Sequence, residues 1–319
     1  MQDDVQGKAA VIFPGQGSQE KGMGRDVAEN DRTATELWKL AERHAGAPLR
    51  EIFWDGDEQA MTETRYQQPA LVTTSLSLWR KLPQAGRLAA LAGHSVGEYT
   101  ALAAAGVLGI EEAIELVCLR GRLMFEAGRE QAGTMAALLK IDQDTVRSIV
   151  DEVAAETGQD ICIANYNTPV QLVVSGAEQA VDQAMAKARE QKGRPVQLPV
   201  SGAFHSPIMD EPARELAQAM DSMEWRDGRF PIYFNATARP ETSGIRIKEL
   251  MQQQMVSPVK WSQIIKAMWQ DGVRSWLEVG SKDVLTKMMR YNLAETDGNW
   301  QATSLGSLDS LERASMLTA

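Results

Sequence analysis

The chain has 319 residues, a length that suits one large domain carrying a smaller one. Its 33 Lys and Arg against 43 Asp and Glu give a formal net charge of −10, which argues against a broad surface for nucleic acid. Two cysteines, no apolar run of eighteen residues and an acidic N-terminus without an export leader indicate a soluble, cytoplasmic protein with no membrane partner.

The first predicted element is a buried strand over Ala9 to Phe13, which ends at Pro14 and Gly15. Helical spacing of apolar residues follows over 32–46 and 69–82. A second apolar run over 88–92 ends at a glycine and leads directly into another helix. Strand, sharp turn and helix in this order are typical of an α/β domain.

The middle of the chain has a different pattern of apolar residues. It predicts strands at 133–141, 161–165, 171–174 and 194–200, with one helix after Asp142 and another around Val181. The order β-α-β-β-α-β is typical of a ferredoxin-like unit. We therefore predict a ferredoxin-like insertion over 131–201 within a catalytic domain built from 1–130 and 202–319.

The α/β pattern resumes after the insertion. It predicts a strand over 230–235, a helix over 259–271 and a strand over 275–279. The tail after Asp297 is polar with a weak pattern, and we expect it to lie on the surface.

Gly93 to Gly97 matches the pattern G-x-S-x-G between a predicted strand and a predicted helix. A serine on such a sharp turn is exposed as a nucleophile, and the N–H of the following residue, Val96, can point at an oxyanion. The alternative is a Gly-Ser turn without chemistry. The position between strand and helix favours Ser95 as a nucleophile.

A serine nucleophile needs a base, and the chain has three histidines. The side chain of His94 should point away from that of its neighbour Ser95, and His44 sits near the end of a helix. His205, in a loop with Gly and Pro after the insertion, remains. Elimination leaves two interpretations of His205 open, a general base or a buried structural histidine.

Two further signals are weaker. The loop from Gly15 to Glu20 lacks the third glycine of a dinucleotide-binding loop and the lysine of a P-loop, but its backbone could face an oxyanion. Arg120 lies on a predicted helix, where a charge is more often simply solvated. We find no metal-binding motif and expect no bound cofactor.

Seven motifs occur in order and together resemble malonyl-CoA:acyl carrier protein transacylases, including those that serve polyketide synthases. They are FPGQGSQ at 13–19, QPA at 68–70, GHSVGEY at 93–99, RGRLM at 120–124, NYNTP at 165–169, GAFHSPIM at 202–209 and SPVKW at 257–261. The resemblance implies a hydrolase-like α/β domain with a parallel sheet and an inserted ferredoxin-like domain.

The resemblance also implies roles for particular residues. Ser95 would be the nucleophile and His205 the base, oriented by a main-chain carbonyl, while Gln16 and Val96 would supply oxyanion donors. Arg120 would grip the free carboxylate of malonate. Other residues implied to line the site are Met124, Asn165, Asn167, Phe204 and Gln254.

The implied reaction moves malonyl from malonyl-CoA to the phosphopantetheine thiol of an acyl carrier protein, and a monomer would suit the family. Phe204 either crowds an α-methyl branch or is merely core packing. An acyl hydrolase on the same scaffold and a non-catalytic docking subunit are the alternatives. Two groups of basic residues are candidates for docking the carrier protein: Lys187, Arg189, Lys192 and Arg194 on the insertion, and Lys282, Lys287 and Arg290 near the C-terminus.

Overall fold

The computed structural model describes residues 7–57, 59–82, 88–200 and 202–318. The strands in this part of the chain are β1 (Lys8–Phe13), β2 (Leu88–Gly93), β3 (Thr134–Leu139), β4 (Ile161–Thr168), β5 (Gln171–Gly176), β6 (Arg194–Gln197), β7 (Ile232–Tyr233), β8 (Pro240–Glu241), β9 (Val273–Val279) and β10 (Gln301–Leu305).

The α-helices of the same ranges are interspersed among these strands along the chain. They are α1 (Arg25–Asn30), α2 (Arg32–Ala45), α3 (Thr64–Trp79), α4 (Gly97–Ala105), α5 (Ile110–Glu130), α6 (Gln143–Thr157), α7 (Glu178–Glu190), α8 (Asp210–Asp221), α9 (Gly244–Gln252), α10 (Trp261–Gln270), α11 (Val284–Asn292) and α12 (Leu308–Thr318). Among them we find none that is long and apolar enough to cross a membrane.

The larger sheet has the strand order β10-β9-β1-β2-β7-β8 and is parallel except for the β7–β8 pair. β1 lies between β2 and β9, and Phe13 at its end pairs with Gly93 at the end of β2. Because parallel strands end at the same edge, the loops that follow β1 and β2 are neighbours. These loops carry Gln16 and Ser95.

The smaller sheet has the order β4-β5-β3-β6, with every pair antiparallel. Helices α6 and α7 share an apolar cluster with it, through residues such as Leu138, Val150 and Val181. The predicted β-α-β-β-α-β order is confirmed, and so is the combination of a parallel α/β sheet with a ferredoxin-like unit. The domain boundaries stay a prediction, and Ser201 at the end of the insertion lies outside the described residues.

The tail lies largely at the surface, as predicted, but it forms regular structure that the sequence pattern did not indicate. Residues after Asp297 form β10, which pairs in parallel with β9 as the edge of the large sheet, and α12 follows it. An edge strand that is solvated on one side alternates between exposed and covered residues, and in β10 only Leu305 is fully buried. So short and polar a pattern does not distinguish an edge strand from a loop.

Some predicted bounds also shift. The helix predicted over 69–82 begins earlier, at Thr64, so that Gln67 and Gln68 belong to α3. The strand predicted over 230–235 shrinks to Ile232–Tyr233, and Asn235 follows it in a turn.

Along the C-terminal half of β4, the smaller sheet is joined to the segment before α10 and to α11. The Val259 N–H donates to the Ala164 carbonyl at 2.7 Å, and the Tyr166 N–H donates to the Val259 carbonyl at 2.8 Å. The Asn292 side chain donates to the main-chain carbonyl of Asn167 at 3.0 Å. This seam holds the smaller sheet beside the carboxyl edge of the larger one.

Candidate active site

Ser95 lies on a sharp turn between β2 and α4. Its φ of 50° is in the left-handed region, which costs a non-glycine residue roughly 1–2 kcal/mol. A Cβ on Gly93 would lie 1.9 Å from the carbonyl carbon of Gly97, and a Cβ on Gly97 would lie 2.3 Å from the Phe13 oxygen. The two glycines of the motif are therefore required by close packing of strand against helix.

Ser95 and His205 are joined directly. Ser95 Oγ lies 2.7 Å from His205 Nε2, although the two residues are 110 positions apart in the chain. His205 Nδ1 lies 2.9 Å from the main-chain carbonyl of Ser257, which can only accept a hydrogen bond. This carbonyl places the proton on Nδ1 and leaves Nε2 free to accept the serine hydroxyl proton.

Burial, and after it the positive charge of Arg120, lowers the pKa of His205 to about 3, although the hydrogen bond to the Ser257 carbonyl opposes the shift. The imidazole is therefore uncharged at neutral pH, the form that a general base needs.

Arg120 is fully buried beneath Ser95. Its guanidinium donates to Gln68 Oε1 at 2.6 Å, to Gln254 Oε1 at 3.1 and 3.3 Å, and to Ser95 Oγ at 3.3 Å. These four bonds use four of the five N–H donors of the guanidinium, and the phenol of Tyr99 also interacts with it. Burial lowers the pKa of Arg120, and the nearby Glu98 and Tyr99 oppose that shift.

A cavity of about 200 Å³ opens above Ser95 and His205. It lies between the loop after β1, the start of α3 and the end of the smaller sheet. Of the predicted site residues, those in its wall are Gln16, Ser95, Met124, Asn165, Asn167, Phe204 and His205. Arg120 and Gln254 lie behind the wall, where they touch Ser95.

The backbone N–H groups of Gln16 and Val96 have no hydrogen-bond acceptor within residues 7–57, 59–82, 88–200 and 202–318. The Gln16 side chain donates to Gln67 Oε1 at 2.8 Å, which ties the loop after β1 to α3. Val96 directly follows the serine at the start of α4, where free N–H groups and the helix dipole favour a negative charge.

The two other histidines lie apart from the Ser95 hydroxyl. His94 Nε2 lies 2.8 Å from Asn167 Oδ1, and its ring packs edge-on against Trp261. The hydrogen bond links the turn after β2 to β4 of the smaller sheet. Asn167 itself lies in the cavity wall. His44 lies in the last turn of α2, as predicted.

Phe204 and Met124 are almost completely buried. The Met124 sulfur accepts from Gln68 Nε2 at 3.2 Å, so it packs against the same glutamine that binds Arg120. Phe204 precedes His205 in the cavity wall, a position compatible with both of its predicted roles.

Sequence reasoning missed Glu98 and Asn235. Glu98 is 1% exposed; its Oε1 accepts from the Asn235 N–H at 2.7 Å and its Oε2 from Gln254 Nε2 at 2.9 Å. The Asn235 side chain accepts from the Ser95 N–H and donates to the Gly93 carbonyl, each at 2.7 Å. Glu98 stands within the GHSVGEY motif, so a signal for it was present, whereas nothing marks Asn235.

Gln68 is the third residue that was missed, and it also stands in a quoted motif, QPA. Its side chain is fully buried and gives Arg120 the shortest of that residue's hydrogen bonds. In the described part of the chain we find no group of three or more His, Cys, Asp and Glu that could hold a metal ion.

Comparison with known proteins assigns this arrangement to a family. The sequence model of a protein family described as the acyl transferase domain matches residues 11–318 of the chain. The chain belongs to this family. The malonyl CoA-acyl carrier protein transacylase of Bacillus subtilis (strain 168) is 36% identical to it over 285 residues, which cover 89% of this chain and 90% of the relative.

Solved structures of family members agree with the fold. The malonyl-CoA:acyl carrier protein transacylase of Xanthomonas oryzae pv. oryzae is 33% identical, covers 98% of both chains and has a TM-score of 0.88. A malonyl-transacylase in complex with a type II polyketide synthase acyl carrier protein is 32% identical, covers 96% of this chain and 98% of its own, and has a TM-score of 0.89. The resemblance seen in the motifs is confirmed, and the protein is an acyltransferase.

Proposed function

We propose that the protein transfers the malonyl group of malonyl-CoA to the phosphopantetheine thiol of an acyl carrier protein through an ester on Ser95. The hydrogen bond of 2.7 Å between Ser95 Oγ and His205 Nε2, with the buried Arg120 guanidinium beside the same oxygen, carries this conclusion. The names of the relatives supply the substrate and the acceptor.

In the first half-reaction, Ser95 Oγ attacks the thioester carbonyl while its proton passes to His205 Nε2. The oxyanion forms next to the N–H groups of Gln16 and Val96. A preorganised donor of this kind is typically worth about 3–4 kcal/mol. The C–S bond then breaks, and the CoA sulfur takes the proton from the imidazolium, which a low pKa makes a ready donor.

In the second half-reaction the carrier protein's thiol gives its proton to His205 and attacks the Ser95 ester. The C–O bond breaks, and Ser95 Oγ recovers the proton from the imidazolium. Each half-reaction thus takes up and releases no net proton, and the serine and histidine return to their starting state. No bound cofactor takes part in this scheme.

Arg120 supplies the selection for a carboxylate at the end of the acyl group. Its planar fork can donate two parallel hydrogen bonds to one carboxylate. A neutral acyl group of the same length would offer the guanidinium no negatively charged partner. Asn165, Asn167, Met124 and Phe204 then shape the space around the acyl group, and Gln254 holds the guanidinium.

Intact-protein mass spectrometry after mixing with malonyl-CoA tests the proposal. We expect a malonyl adduct on the wild-type protein, no adduct on Ser95→Ala, and transfer to an added carrier protein that is faster than release of free malonate. Malonate release equal to or faster than transfer would establish an acyl hydrolase. Absence of any adduct on the folded wild-type protein would favour a docking subunit.

A further inference from the structure

Glu98 is a buried acid to which the reaction above assigns no role. It lies in the first turn of α4, with the side chain turned into the protein and 1% exposed. A carboxylate in this environment is costly to ionise, so residues that retain one need hydrogen bonds to both oxygens. Glu98 has them, one from the Asn235 N–H and one from the Gln254 side chain.

The Gln254 amide bonds to two acceptors through its NH2 group and to the Arg120 guanidinium through its oxygen. Its Nε2 donates to the Ser95 carbonyl and to Glu98 Oε2, both at 2.9 Å, while its Oε1 accepts twice from Arg120. A main-chain carbonyl and an ionised carboxylate can only accept hydrogen bonds. Together they therefore hold the NH2 group on their side and leave the oxygen on the side of the guanidinium.

We infer that Glu98 is a positioning residue whose carboxylate fixes the amide of Gln254, and thereby the guanidinium of Arg120, in the orientation that receives the malonyl carboxylate. The inference rests on the proposed function and extends it to a residue that does not touch the substrate. Protonated Glu98 could donate through its O–H, and the Gln254 amide would then lose the constraint that keeps its oxygen toward Arg120.

Glu98→Gln keeps the size of the side chain and removes the charge. Its oxygen can still accept from the Asn235 N–H, but its NH2 group then faces the NH2 group of Gln254. We expect the kcat/KM for acylation by malonyl-CoA to fall about 10- to 100-fold, and that for the slower acylation by acetyl-CoA to change less than about threefold. The measured quantity is the ratio of the two rates in single-turnover acylation followed by mass spectrometry.

Glu278→Gln is the matched control. Glu278 is also fully buried and accepts two backbone N–H groups, from Leu285 at 3.0 Å and Thr286 at 2.7 Å, but it lies in β9 away from the cavity. We expect this variant to keep the malonyl-to-acetyl ratio of the wild type. An equal change of the ratio in both variants, or an equal loss for both substrates in Glu98→Gln, would overturn the inference.

A second readout uses the wild-type protein and does not depend on the folding of a variant. Burial raises the pKa of Glu98 to about 7; the Asn235 N–H, Gln254 and Arg120 on α5 oppose the shift. Among the described residues, the phenol of its neighbour Tyr99 also interacts with this carboxyl.

Because the inference requires ionised Glu98, we expect the malonyl-to-acetyl ratio to fall as pH falls through about 7. His205 serves both substrates alike, so its titration cancels in the ratio. A ratio that does not change between pH 6 and pH 8 would contradict the inference. If the folded wild-type protein forms no malonyl ester at all, it is the proposed function that fails.

Discussion

Arg120 is a full charge with no exposed surface, held by two glutamines and the serine hydroxyl, and no carboxylate of the described residues is bonded to it. Such a cation is costly to bury, and an incoming carboxylate would supply the missing partner. Substrates that end in a negative charge should therefore bind more tightly at this site than neutral ones. The selectivity of the site for the acyl group therefore depends on the Arg120 guanidinium and on the side chains that hold it in place.

Arg120→Ala is expected to lower acylation by malonyl-CoA about 100-fold or more, while activity toward acetyl-CoA rises relative to it. Rates of acylation with the two donors give the result. Arg122→Ala is the control, because Arg122 lies on the same helix, is exposed and pairs with Glu126 and Glu215. Equal losses for malonyl and acetyl groups would mean that Arg120 is structural.

At the scale of elements, the turn between β2 and α4 determines where the nucleophile lies. It holds Ser95 at positive φ, and Gly93 and Gly97 allow the strand and helix to approach within distances that a Cβ would prevent. Asn235, after the short strand β7, ties the Ser95 N–H to the Gly93 carbonyl. The strain is tolerated because neighbouring elements bond the turn on several sides.

Gly97→Ala puts a methyl group 2.3 Å from the Phe13 oxygen, so β1 or α4 must shift. A displacement of about 1 Å at the reacting atoms can cost about 100-fold in rate, and we expect a loss of this size for malonyl and acetyl donors alike. Gly228→Ala, where the nearest atom would lie 3.0 Å away and outside the site, serves as control. A variant with wild-type acylation would show that the turn tolerates the shift.

At the scale of the whole molecule, the acidic chain must meet a carrier protein that we also expect to be acidic, so a local basic patch matters more than net charge. Arg194 pairs with Leu139 at one end of the smaller sheet, whereas Leu198 lines the cavity at the other end, about 13 Å away along the strand. Lys187 is already paired with Glu152 and Glu156. Arg194 and Lys187 of the insertion are thus poorly placed to dock the carrier protein.

Lys282 is better placed, because it follows β9 at the carboxyl edge of the large sheet, where the loop after β1 lies. It is exposed and has no ion pair within the described residues, whereas Lys287 pairs with Asp283.

We expect Lys282→Glu to slow transfer to the carrier protein, more strongly at low salt, and to leave acylation by malonyl-CoA unchanged. Arg194→Glu is the charge-matched control and should alter neither half-reaction. The two half-reactions are measured separately by mass spectrometry. If Arg194→Glu slowed transfer and Lys282→Glu did not, docking would involve the insertion.

Much of the fold could be predicted from the sequence, because apolar periodicity and turn residues are local signals. The strand before Pro14, the sharp turn at Ser95 and the β-α-β-β-α-β order are all readable in this way. The edge strand β10 escaped prediction because one solvated face and five residues leave too little pattern. His205 could be reached by elimination alone, and the resemblance to known transacylases was needed to choose its role.

By itself the sequence determined which residue types were available: one serine on a sharp turn, three histidines and an arginine on a helix. Only the tertiary structure decided that the Ser257 carbonyl orients His205, and that Glu98, Gln254 and Arg120 form one hydrogen-bonded chain. The physical reason is separation along the chain. Gln254 lies 134 positions from Arg120 and 156 from Glu98, and no local periodicity records contacts that exist only after the sheets have packed together.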